Sequence, residues 1–136
     1  VKRAGLIEFT NIDFGAVGHS HINSEGVGAA VVQVGAYTIS GNATIHWYAQ
    51  LGGQISAQSA ARTLSGTPAF SNAFAQASNL GTIIVQSTFS GSATGKRYNA
   101  ATGGLIETYG AGTTYLPGGT AGTGTNMGTS PYGTYQ

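Results

Sequence analysis

Thr38-Ile39-Ser40-Gly41, Thr63-Leu64-Ser65-Gly66 and Thr88-Phe89-Ser90-Gly91 are one motif written three times, each copy 25 residues after the last. A fixed period of that length is the signature of a solenoid, whose repeats bury their apolar faces only against one another. Within each copy a β-branched threonine, a large apolar residue, a small hydroxyl residue and a glycine read as a strand with one inward side chain, closed by a turn.

The residues around each copy repeat as well. Ala30-Val31-Val32-Gln33-Val34 precedes the first copy and Thr44-Ile45-His46-Trp47-Tyr48-Ala49 follows it, with Gly52-Gly53 closing the unit. Ile55 to Thr82 and Ile83 to Leu105 carry the same succession, closed by Asn79-Leu80-Gly81 and Gly103-Gly104. Three short strands and three turns make one coil of a right-handed parallel β-helix, with coils stacked about 4.8 Å apart. The expected interior columns are Ile39-Leu64-Phe89 and Val32-Ile55-Ile83-Ile106. Leu6 to Gly15 is an earlier, looser copy, and Ile106-Glu107-Thr108-Tyr109 opens a last one that Tyr115-Leu116-Pro117-Gly118-Gly119 interrupts. Residues 1–117 are therefore expected to form the coils, and 118–136 a Gly/Thr-rich C-terminal cap or extended arm. Glycine frequency and β-branched richness oppose helix. Pro68 to Ala77 is the exception, with Phe70, Phe74 and Ala77 at helical spacing. A helical turn there would account for a unit three residues longer than its neighbours.

Only 7% of the 136 residues are charged and the net charge is +1. Lys2, Arg3, Arg62, Lys96 and Arg97 are scattered, so no electrostatic footprint for nucleic acid is expected. No apolar run approaches the ~18 residues of a membrane span, and without cysteine there is no disulfide framework or thiolate metal site. The opening Val1-Lys2-Arg3 lacks an initiator methionine, and the chain is expected to be a piece of a longer polypeptide.

Phe89-Ser90-Gly91-Ser92-Ala93-Thr94-Gly95-Lys96-Arg97-Tyr98, Gly110-Ala111-Gly112, Tyr115-Leu116-Pro117-Gly118 and Ala121-Gly122-Thr123 together resemble the C-terminal region of bacteriophage and prophage tail-spike or tail-fibre proteins. Tyr37-Thr38-Ile39-Ser40-Gly41, His46-Trp47 and Arg62 to Phe70 are similar to the β-helical segment of the same proteins. The likeness covers roughly Leu6 to Thr123 and departs at Asn126-Met127-Gly128 and Ser130-Pro131-Tyr132. It implies a virion component acting outside the host cell as a homotrimer. Its implied partners are other virion proteins and a bacterial surface polysaccharide or outer-membrane receptor.

Glu8, Asp13, Glu25 and Glu107 are the acids. Glycoside cleavage needs two carboxylates across one bond, but Glu8 and Asp13 have opposite parity on an extended chain. The chain is read as non-enzymatic by itself, with no catalytic residue assigned. The alternatives are part of a polysaccharide depolymerase whose carboxylates lie elsewhere or between subunits, and a pure trimerisation or assembly module. His19 and His21, at i and i+2, face the same way on a strand. His19-Ser20-His21 resembles the tripeptide that holds iron on the threefold axis of some trimeric phage needles, and imidazole suits iron or another transition metal. Trp47, Tyr48, Tyr98, Tyr109 and Tyr115 are the candidate carbohydrate-stacking aromatics. Alternation puts Trp47 and Tyr48 on opposite faces, one of them in the core or an interface.

Overall fold

The computed structural model describes residues 5–33, 35–124 and 133–135. Among these every regular element is a strand and every strand pairing is parallel. Coil one is β1 (Gly5–Phe9), β2 (Asp13–Phe14) and β3 (Ser20–Glu25), and coil two is β4 (Ala29–Gln33), β5 (Tyr37–Ile39) and β6 (Ala43–Gln50). In coil three β7 (Gln54–Leu64) covers the first two positions and β8 (Ala69–Ser78) the third. Coil four is β9 (Thr82–Ser90), β10 (Thr94–Gly95) and β11 (Tyr98–Ala100). Coil five opens with β12 (Gly104–Glu107), and β13 (Gly133–Tyr135) lies on β12.

The strands form two sheets, one running β1-β4-β7-β9-β12-β13 with β2 and β5 alongside, the other running β3-β6-β8 and then β10 and β11. The chain is a parallel β-solenoid of about five coils. Residues 118–124 continue the stack through single bridges, Lys96 to Thr120 and Asn99 to Thr123. The readings at Lys2, Arg3, Asn126 to Gly128 and Ser130 to Tyr132 lie outside the described residues.

One interior column runs Val31-Ile55-Ile83-Ile106-Tyr135. Each of the five is buried, and a fully buried aliphatic side chain contributes about 1.5–3 kcal/mol. Val31, not Val32, is the member from coil two, because the backbone register sets Val32 beside Ser56. The other expected column holds for one step only. Ile39 lies on Leu64, but Phe89 lies on Arg62 and Thr63 pairs with Ser90, 27 residues on. A register shift between Gln58 and Ala61, where Ser59 has φ 50°, lowers the spacing to the next coil from 28 residues to 27. Gly91 then arrives over the Leu64 carbonyl at φ +86°, where a Cβ would come within 2.1 Å of that oxygen. Phe89 gains the rings of Trp47, Phe74 and Tyr115 at 6.1, 5.5 and 5.5 Å.

The expected helical turn at 68–77 is absent. Ala69–Ser78 is a ten-residue strand, and the extra length is taken up where β6 meets β8, between the Ala43–Phe70 and Ile45–Ala73 pairs. A helical turn would have left its inter-coil hydrogen bonds unmade. An irregularity in a strand keeps most of them.

Candidate functional site

The irregularity where β6 meets β8 brings His46 and Trp47 into the interior in succession. Trp47 lies between Ile22 and the small Ala75, with Tyr98 one coil further on. His46 is sealed among Phe14, Phe70 and Phe74. A buried imidazole needs partners for both nitrogens, and it has them: Tyr37 Oη at 2.8 Å from Nε2 and His21 Nδ1 at 2.9 Å from Nδ1. Trp47 Nε1–H donates to Tyr37 Oη at 3.0 Å, and His21 Nε2 lies 2.8 Å from the Gly15 carbonyl.

Four hydrogen bonds thus form a single chain whose proton order follows from its ends. An indole nitrogen only donates and a carbonyl only accepts. Read from Gly15, His21 carries its proton on Nε2 and accepts on Nδ1, so His46 donates from Nδ1 and accepts on Nε2. Read from Trp47, the Tyr37 hydroxyl accepts the indole and donates to that same Nε2. The two readings meet with both imidazoles neutral. Burial lowers the pKa of His21 against the raising effect of the Gly15 bond. Burial, then the neighbouring His21 and Arg62, holds that of His46 well below the usual histidine value. Arg62, buried between Tyr37 and Phe89, places its guanidinium carbon 4.8 Å from the Tyr37 ring centre.

This geometry redistributes the residues singled out by sequence. Trp47 is fully buried and Tyr98 is covered, its ring stacked at 3.6 Å on Tyr135, so neither presents a face to a sugar. Tyr115 packs on Phe89 and spends its hydroxyl on the Ser87 backbone. Tyr109 stands exposed on a turn after β12. The five aromatics form no common patch. His21 commits both nitrogens to the interior. His19 is exposed, bonded to Ser20 and 5.9 Å from the Tyr48 ring. The two rings share no neighbour, so the expected common face for a metal is not formed. The cause is the inward turn of His21 towards His46. Of the acids, Asp13 accepts from Ser40, Glu25 from Asn23 and Gln50, and Glu107 from the Tyr109 amide.

Tyr48 remains, half-buried on the outer face of the second sheet. In register with it, coil after coil, are Asn23, Gln76, Asn99 and Thr123. Gln76 Oε1 accepts from Asn72 and Asn99, and Asn99 Oδ1 accepts from Thr123 at 2.7 Å. These bonds fix the amide planes. Gln76 keeps both amide protons, and Asn99 a proton and a lone pair, for a further partner. The result is a rigid row of amides around one tyrosine and His19. Sequence reading missed Asn23, Asn72, Gln76 and Asn99, because their alignment depends on the length of the third coil.

Comparison of the chain with family models, with curated proteins and with solved structures finds no match.

Proposed function

We propose that this chain is a host-surface recognition and structural module of the tail-spike or tail-fibre kind, non-enzymatic by itself, carried outside the host cell on a virion as a homotrimer. Its partner in this reading is a bacterial surface polysaccharide. The observation that carries the proposal is the ordered row Asn23-Tyr48-Gln76-Asn99-Thr123. Sugars are recognised by planar amides, which pair with adjacent hydroxyls, and by an aromatic face that covers their apolar C–H side. Preorganised amides lose little freedom on binding.

Calorimetry of the chain against host surface polysaccharide tests this reading. Tyr48→Ala combined with Gln76→Ala is expected to weaken binding at least about tenfold, or about 1.4 kcal/mol. The melt should stay within about 1 kcal/mol of wild type, since both side chains are on the outer face. Undiminished binding by the double variant, or none by the wild type, sinks the proposal.

A further inference from the structure

We propose that the Trp47–Tyr37–His46–His21–Gly15 hydrogen-bond chain is an acid-sensitive latch that holds the N-terminal coil on the solenoid and releases it when the pH falls. The latch spans coils one and two. His21 is on β3 and Gly15 just after β2, whereas Tyr37 and His46 are on β5 and β6. The separation of His21 from His46 is one coil, 25 residues.

The chain has no room for another proton. A proton added to His21 Nδ1 faces the Nδ1–H of His46. Turning His46 over to carry its proton on Nε2 would aim it at Tyr37 Oη. That oxygen already accepts from Trp47, and accepting a second proton would leave its own O–H to find another acceptor in the interior. Trp47 and Arg62 cannot become acceptors, and the Gly15 carbonyl cannot donate. Protonation therefore breaks the His21–His46 contact instead of relocating along the chain.

The charges around the pair offer no compensation. From β7 the facing group is the Arg62 guanidinium, and from β5 it is Tyr37. From β8 the neighbours are Phe70 and Phe74. Asp13 on β2 is bonded to Ser40, Glu25 at the far end of β3 to Asn23 and Gln50, and His19 lies against Tyr48.

Coil one is lightly held on coil two: β1 is largely exposed and β2 pairs with β5 over two residues. Units with few buried contacts open at lower cost than the whole fold. Departure bares the edges of β4, β5 and β6, whose backbone groups then accept another strand. The sign follows from linkage. The folded pKa values are lowered, and the released histidines take up protons at about 6.5. The latch is thus at full strength above that pH and weakens below it, down to the folded values. Opening rises about tenfold per pH unit for one histidine and about a hundredfold when both take up a proton.

The test is amide hydrogen exchange, corrected for the intrinsic rate, between pH 7.5 and 4.5. Amides of β1 to β3 are expected to lose at least about tenfold protection per pH unit below about 6.5, while those of β9 and β12 keep theirs. His21→Gln preserves a donor to Gly15 and an acceptor for His46 but does not titrate, so its loss per unit should be about tenfold smaller. If that variant fails to fold, the wild-type imidazole nitrogen resonances decide. Nε2–H on His21 and Nδ1–H on His46 at neutral pH support the latch. Equal losses in wild type and His21→Gln, a loss spread evenly over all coils, or two rings titrating near 6.5 with coil one intact would overturn it.

Discussion

Replacing Gly81 by alanine is expected to cost at least about 3–5 kcal/mol, the range of the severe single substitutions, and to leave little folded protein at 37 °C. A Cβ on Gly81 would fall 2.2 Å from the Ala49 carbonyl oxygen, 2.4 Å from its carbon and 2.7 Å from the Gln50 nitrogen. All three are backbone atoms of the coil beneath, so no side chain can swing aside. Relief requires lifting the end of coil three from coil two, which breaks bonds such as Gly52 N–H to the Asn79 carbonyl at 3.1 Å. Gly53 and Gly104 occupy the same position, over Ser24 and Ala77. Backbone approach, not turn conformation, is what demands glycine here. Gly18→Ala is the control, since a Cβ there meets nothing within 4 Å. It should lie within about 0.5 kcal/mol of wild type or slightly above. Urea denaturation of the two variants measures the difference.

Tyr37→Phe is expected to cost about 3–5 kcal/mol, far more than one lost hydrogen bond, with an unchanged denaturant slope. The ring and its contacts with Phe14 and Phe9, at 5.1 and 6.0 Å, remain. What goes is the oxygen on which two groups converge. Trp47 Nε1–H loses its acceptor and His46 Nε2 its donor, both in the interior. Each buried polar group left unsatisfied costs about 1–3 kcal/mol. A midpoint shift below the equivalent of 1 kcal/mol would show that the interior tolerates the chain's removal.

The period of 25 made the solenoid, its three strands per coil and the Ile39–Leu64 contact legible before any coordinates. It did not reveal where the period lapses. The third Thr-x-Ser-Gly copy looks like the next rung, yet the extra residues between Leu64 and Ala73, one of them offset near Ser59, move it two places, and Phe89 joins Arg62 in an aromatic interior. Pattern matching weighs identity of residues. Packing weighs where a ring finds neighbours. Pro68 to Ala77 misled for a related reason: Phe70 and Phe74, four residues apart, share a face on a strand as they do on a helix, and the irregularity adds Ala75 and Ala77 to the buried set.

The histidines show what the same signal held unread. His21 and His46 stand one period apart, so adding 25 to His21 lands on His46 and marks an interior pair in advance. Read as i and i+2 with His19, His21 suggested a shared surface face instead. For the outer face, alternation separated Tyr48 from Trp47 correctly. The amides in its row carry no apolar periodicity and became visible only through the register.

The stacking register is the premise of the amide row and of the interior around Phe89, and paired cysteines test it most directly. The chain has no cysteine of its own, and Thr63, Thr88 and Ser90 are all exposed. Thr63→Cys with Ser90→Cys brings together neighbours whose side-chain oxygens lie 3.3 Å apart, within reach of the roughly 3.5–4.5 Å Cβ separation of a disulfide. That pair is expected to oxidise readily in the folded protein, and Thr63→Cys with Thr88→Cys to stay reduced. Efficient bonding of the second pair and not the first would mean that the coils stack on the 25-residue motif throughout, contradicting the register on which this account of the interior and the outer face rests.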